Sequence, residues 1–280
     1  MRKEIIPLVI CLWMISCNTP RYTYSPSAQN IPVLVKAGDS KLAANYSNNL
    51  IGDNTYEDTY TGRKEVSKAY GYDLQAAVAI TNSFAIQANQ FYRKEQNGDY
   101  NTVLHYKRRL TELGIGYFKP FKRKRKTIIF EVFGGVGFGK FDLQDNGVDF
   151  NNVPYSKYHN EDILKIYVQP AIVFKIREYL NISVSSRLSF VNYNNIQTNY
   201  TTDELSSYDL DRLSYTNYAY WEPSFTQSFG IKSVPGLLLE YQFGLSLPLT
   251  TGPVNYHPLN FSIGLAFDIP KLFKAGNSAD

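Results

Sequence analysis

Leu259-Asn260-Phe261-Ser262-Ile263-Gly264-Leu265-Ala266-Phe267-Asp268-Ile269 is the stretch on which the reading of the whole chain turns. Side chains alternate sides along an extended strand. Leu259, Phe261, Ile263, Leu265, Phe267 and Ile269 therefore share one face, and Asn260, Ser262, Gly264, Ala266 and Asp268 share the other. Such a division predicts a strand with one apolar face and one small or polar face. The first suits hydrocarbon; the second suits water or a narrow lumen.

The division recurs upstream. In Ile163–Ile176, Leu164, Ile166, Val168, Pro170, Ile172, Phe174 and Ile176 oppose Lys165, Tyr167, Gln169 and Lys175. Leu237–Leu247 sets Leu237, Leu239, Tyr241, Phe243, Leu245 and Leu247 against Glu240, Gln242, Gly244 and Ser246, and Thr127–Phe141 sets Ile128, Phe130, Val132, Val136 and Phe138 against Glu131 and three glycines. Each is long enough for the roughly 9–11 residues that a tilted strand needs to cross hydrocarbon.

Long polar connections alternate with short turns along the chain. The long ones are 48–69, 93–108, 142–162, 192–218 and 248–256; the short ones are 81–83, 120–126, 177–179 and 232–236. The pattern predicts an all-β protein, a single antiparallel up-and-down transmembrane β-barrel of about ten strands, with eight to twelve as the range. An even count returns both chain ends to one side. Pro170 and Pro223 are expected at bulges or strand ends, since each lacks a ladder donor. A soluble barrel with its apolar face inward is the rival, because alternation does not say which face points in.

Composition agrees with spanning by strands. No internal stretch approaches the roughly 18 apolar residues of a membrane helix, and aromatics make up 15% of the 280 residues, with 23 Tyr and 17 Phe. Aromatic belts are expected at Tyr70, Tyr72, Phe141, Tyr193, Tyr218, Trp221 and Tyr256 on the outer side. Tyr117, Phe118, Phe121, Tyr179 and Phe267 would form the inner one.

The N-terminus reads as a secretory signal: Arg2 and Lys3, then apolar Ile5–Ile15, then Ser16 before Cys17. Met14-Ile15-Ser16-Cys17 resembles a bacterial lipobox, which implies acylation of Cys17 as the mature N-terminus; ordinary cleavage nearby is the plainer alternative. The expected organisation is a signal peptide at 1–16, a lipidated tether at 17–40 carrying Pro20, Pro26 and Pro32, a barrel at 41–269 and a periplasmic tail at 270–280. Losing the signal takes Lys+Arg from 29 to 27 and Asp+Glu from 25 to 24, and the resulting +3 gives no ground for nucleic acid as a partner. With Cys11 gone and Cys17 acylated no thiol remains for a disulfide or a metal. No cofactor or metal is expected.

Ser262, Gly264, Phe267 and Ile269 have the spacing polar-x-Gly-x-x-aromatic-x-apolar, which resembles the C-terminal signal of outer-membrane β-barrels. The run Tyr24-Ser-Pro-Ser-Ala-Gln-Asn-Ile-Pro-Val33 resembles the segment after the acylated Cys in outer-membrane barrel lipoproteins of the Bacteroidetes type. These resemblances imply a bacterial outer-membrane location, membrane lipid and the barrel assembly machinery as partners, and little about activity. The absence of acidic residues after Cys17 resembles sorting signals that keep the lipid on the periplasmic side.

Inward charges of both signs are expected at Asp73, Glu112, Glu131, Lys165, Lys175, Arg187, Glu222, Glu240 and Asp268. They read first as ion pairs filling a closed lumen, because small barrels fill with side chains, and second as a polar pore. Lys122, Arg123, Lys124, Arg125 and Lys126 form a basic turn that reads as a solvated cap or as a headgroup contact worth about 1 kcal/mol per side chain. His105, His159 and His257 fall in predicted outer loops. Histidines and carboxylates at the rim of such a barrel resemble the outer-membrane proteases called omptins, although no omptin motif is present. The function expected is non-enzymatic, structural or in surface interaction with a ligand or partner protein through long external loops. A narrow channel or small-solute transporter comes second, and an omptin-like rim hydrolase third.

Overall fold

The computed structural model describes residues 20–49, 54–57, 64–98, 102–123, 126–149, 151–231, 233–234, 236–250 and 254–270. Ten antiparallel strands close into one barrel. They are β1 (Ser40–Asn48), β2 (Lys64–Ala79), β3 (Phe84–Gly98), β4 (Thr102–Arg123), β5 (Lys126–Val148), β6 (Pro154–Arg177), β7 (Leu180–Thr198), β8 (Tyr218–Gly230), β9 (Leu237–Leu245) and β10 (Leu259–Phe267). Strand β10 completes the circle, with Ile263 opposite Tyr241 of β9 and Tyr46 of β1. Closure removes the free edges that hydrocarbon cannot satisfy.

The apolar faces point out. Phe138, Ile166, Phe243, Ile263 and Leu265 are exposed, whereas Glu131, Lys165, Gln242 and Ser262 are buried. A soluble barrel with an apolar interior is therefore not what this chain builds. The outer apolar band is framed by aromatic pairs: Tyr72 stacks on Tyr92 at 5.2 Å, and Phe84 meets Tyr117 edge-on at 5.7 Å. Phe84 and Tyr92 lie on β3 about 27 Å apart at 3.4 Å per residue, or about 20 Å along the axis of a barrel whose strands tilt by about 40°. Above Tyr92 the outer face turns polar, with Arg109–Asp142 at 3.5 Å and Lys140–Asp162 at 3.6 Å. Phe118, Phe141, Tyr193 and Tyr218, expected in the belts, instead face inward and are buried.

Connections 80–83, 124–125, 178–179 and 231–236 lie at one end, the turn end, and the remaining connections at the other, the loop end. The wall is uneven, since β6 has 24 residues and β10 only 9. Most of 93–108 and 142–162, expected as loop, is strand, joined across 99–101 and 149–153. The reason is chemical: beyond the hydrocarbon band both faces meet polar surroundings, so the apolar alternation fades while the ladder continues. Pro170 and Pro223 make neither bulge nor strand end. The β6–β7 ladder skips Gln169 and Pro170 and resumes in register, while Pro223 pairs with Ser186 of β7 and follows in register the point where the β8–β9 ladder stops at Ser224 and Gly244.

The largest departure concerns residues 20–39, expected as a tether, which run through the lumen from the loop end to the turn end. At the loop end the Tyr106 hydroxyl donates to the Pro20 carbonyl at 3.2 Å, and residues 22–24 pair in parallel with 255–256. At the turn end Ala37 N donates to Asn82 Oδ1 and Gly38 N to the Ala79 carbonyl, both at 2.9 Å. The described chain thus starts and finishes at opposite mouths. Both ends were expected on one side; the N-terminal segment adds a crossing of its own.

Candidate functional site

The lumen is built by the inward positions of all ten strands and is occupied by the N-terminal segment. From Tyr22 to Val35 that segment has no charged side chain, and Pro26 and Pro32 favour extended backbone. Its main-chain groups have few ladder partners, so the wall must satisfy them. Asp73 Oδ1 accepts from Ala28 N at 3.1 Å, and Gln75 Nε2 donates to the Ala28 carbonyl at 3.3 Å. Gln242 meets Gln29 in the same two-sided way, and Gln169 Nε2 donates to the Asn30 carbonyl at 2.8 Å. Nearer the loop end Arg108 donates to the carbonyls of Tyr22 and Thr23, and His257 N donates to that of Tyr24 at 2.9 Å.

Beside these contacts the wall pairs its own charges. Lys165 Nζ lies 3.2 Å from Glu112 and 3.5 Å from Glu222, and Arg187 lies 3.2 Å from Glu112. Glu112, Lys165, Arg187 and Glu222 are all buried, and the segment completes the group: the Tyr24 hydroxyl donates to Glu222 at 2.6 Å and accepts from Lys165 at 3.2 Å. The Arg187 guanidinium stacks over Tyr167 at 4.7 Å. Room for that ring comes from Gly114 and Gly135, where a Cβ would stand 2.6 Å from the Tyr167 hydroxyl.

The remaining lumen charges expected from sequence are scattered. Glu240 pairs with Lys41 at 2.8 Å, and Asp73 serves the segment. Lys175 and Asp268 line a small cavity of about 30 Å³ at the turn end. Glu131 stands apart from the ion pairs, fully buried with the Leu34 backbone as its polar neighbour. It projects between Ile129 and Phe133, which with Ile31, Leu34 and Phe118 form the apolar seal of the turn end.

Sequence reasoning missed an upper tier. Arg108 and Glu95 pair at 2.8 Å, His257 Nε2 lies 3.0 Å from Glu95, and Arg93 reaches Ser25, Ser47 and Asn260. Arg21 pairs with Asp145 at 2.6 Å. Arg93 and Glu95 share the inward parity of Gln87, Asn89 and Phe91 on β3, so running that parity past Tyr92 would have found them. Of the three histidines expected in outer loops, His159 and His257 are buried, His159 on β6 and 3.4 Å from Glu161, and His105 is half-buried on β4. Burial removes the His257 imidazole from water and lowers its pKa below the usual range; Glu95 opposes that shift, and Arg108 and Arg93 reinforce it. Around this tier Tyr106, Phe141, Tyr193, Tyr218 and Tyr220 pack into one cluster with Leu210 and Leu213 from the 199–217 connection.

In the basic turn Lys122 and Lys126 are exposed, Arg123 ends β4, and Lys124 and Arg125 lie outside the described residues, as does Cys17. In the C-terminal motif Ser262 is buried toward the lumen, Gly264 lies against the β1 backbone at Asn45, and Phe267 ends β10. Ile269 falls in a helical turn past the strand.

No protein-family model matches the chain, and no curated protein matches it. Among solved structures it is similar to the translocator domain of the autotransporter NalP from Neisseria meningitidis, with TM-score 0.48, 9% identity and coverage of 82% of this chain and 88% of that one. An outer-membrane channel from Pseudomonas putida F1 aligns with TM-score 0.40 at 9% identity, over 85% of this chain and 99% of that one. Likenesses this slight add nothing to what the register and burial show.

Proposed function

We propose that this chain is a bacterial outer-membrane barrel, non-enzymatic, whose lumen is closed by its own N-terminal segment and whose loop-end rim is the surface offered to a ligand or partner protein. One observation carries the reading: an outer apolar band of membrane height surrounds a lumen in which wall charges and segment are bonded to each other. The histidine–carboxylate pairs lie buried among the aromatic residues of the loop end, which favours a structural role for them over rim hydrolysis. A channel reading requires the segment to withdraw.

Membrane lipid contacts the apolar band, Lys122 and Lys126 reach headgroups at the turn end, and assembly proceeds through β10. The lipid on Cys17 is placed at the loop end. Cys17 precedes Pro20 by three positions, a reach of at most about 10 Å of extended chain. The sorting resemblance implies the periplasmic side instead. Protease shaving of cells tests the arrangement. Cleavage at exposed Arg212 in intact cells, with cleavage at Lys122 and Lys126 only after permeabilisation, is the expected result. Cleavage of the basic turn in intact cells overturns the orientation. Loss of palmitate labelling in Cys17→Ala tests the lipid.

A further inference from the structure

We propose that the lumen is a binding tunnel for an extended peptide, with residues 20–35 of this chain, uncharged from Tyr22 onward, as its resident ligand. The inference concerns the lumen alone and does not depend on which membrane holds the barrel. Its ground is the division of labour among the lining side chains. The wall's cations and carboxylates largely neutralise one another, Lys165 with Glu112 and Glu222, Arg108 with Glu95, Lys41 with Glu240. The glutamines, joined by Asp73 and Arg108, read main chain. Gln75 and Gln169 each donate to a segment carbonyl, and Gln242 both accepts from and donates to Gln29.

Main-chain reading of an extended strand is a general way to bind peptide, with pockets for alternate side chains adding selectivity. The pocket here is the one taken by Tyr24, whose ring stacks on Tyr220 at 4.0 Å and whose hydroxyl reaches Glu222. Beyond it the lumen holds Ser25, Ser27 and Ala28, all buried, so bulky residues at those positions have no room, and the Ser25 and Ser27 hydroxyls accept from Arg93 and Arg187. The ligand class is therefore a peptide with an aromatic hydroxyl residue followed by small neutral residues, its N-terminal end toward the loops. Binding involves no covalent step. Asp39, whose carboxylate accepts from the amides of Val35 and Lys36, holds the turn that joins ligand to barrel. That turn is exposed at Lys36, Ala37 and Gly38, where the link can be cut.

The test inserts a site for a sequence-specific protease between Ala37 and Gly38 of the full chain, folded in detergent. After cleavage the freed segment is expected to co-elute with the barrel. The cut protein is then unfolded, freed of the segment, and refolded with a fluorescent synthetic peptide of residues 20–35. One-to-one capture is expected, with at least tenfold weaker capture of a peptide N-methylated at Ala28 and Gln29, whose amides face Asp73 and Gln242. Departure of the segment from a barrel that stays folded overturns the proposal. So does refolding that captures no peptide, whether or not the barrel reforms, and so does equal capture of the N-methylated peptide.

Discussion

Gln29 and Gln242 exchange a reciprocal pair of hydrogen bonds across the lumen: Gln29 N donates to Gln242 Oε1 at 2.6 Å, and Gln242 Nε2 donates to the Gln29 carbonyl at 2.8 Å. A side-chain amide here does what a neighbouring strand would do in a sheet. Gln242→Leu strands both groups of Gln29 in a buried place, and an unsatisfied buried polar group costs about 1–3 kcal/mol. The denaturation midpoint in detergent should fall, while Gln227→Leu on the half-buried position of β8 leaves it nearly unchanged. Equal effects of the two would remove the special role of the pair.

Lys165 sits between Glu112 and Glu222, and Arg187 shares with it the same oxygen of Glu112. Lys165→Met leaves Glu222 without a cation, and breaking a buried pair from one side costs about 3–5 kcal/mol. Adding Glu222→Gln should return part of that loss. Urea unfolding monitored by the heat-dependent gel shift of the barrel reads both; no recovery in the double variant contradicts the assignment.

Gly114 leaves space that the Tyr167 hydroxyl takes, since a Cβ there would stand 2.6 Å from it. Gly114→Ala should destabilise by the about 1–3 kcal/mol typical of overpacking. Tyr167→Phe removes the clashing oxygen and should rescue most of the loss, as thermal unfolding of the single and double variants will show.

His257 gives the loop end of the lumen a pH dependence. Burial lowers its folded pKa, so at pH values below about 6.5, the value of an unperturbed His, the unfolded chain takes up more protons than the folded one. This contribution to stability is complete above that pH and declines as pH falls through the folded value. The groups facing His257 are Glu95, Arg108, Arg93 and Tyr22, whose ring stacks on it at 4.1 Å. Hydrogen exchange at the Tyr24 and His257 amides should quicken, after correction for intrinsic rates, between pH 7 and pH 5, and His257→Gln should flatten the change. An unchanged slope in that variant assigns the effect elsewhere.

How much of this was legible in the sequence follows from where hydrocarbon imposes contrast. Leu259–Ile269 and Ile163–Ile176 could be read because lipid on one face and lumen on the other select opposite chemistry at successive residues. Glu95, Arg108 and Asp145 lie where water replaces lipid, so their stretches of strand lose the apolar alternation and read as loop. The middle network of Glu112, Lys165, Arg187 and Glu222 was visible as inward charge. Its pairing was not, because closure sets which strands face each other across the lumen. Tyr22–Val35 was least legible of all. A segment satisfied by side chains has no period, so a buried ligand and a solvated tether look alike in sequence.

Single-channel recording in planar bilayers tests the central claim, that the barrel is closed by its own residues 20–35. The purified full chain should give no steady current, and the protein cleaved between Ala37 and Gly38 and freed of its segment should give discrete openings. Steady current through the uncut chain would contradict the account, because it would require an open path past the residues that fill the lumen.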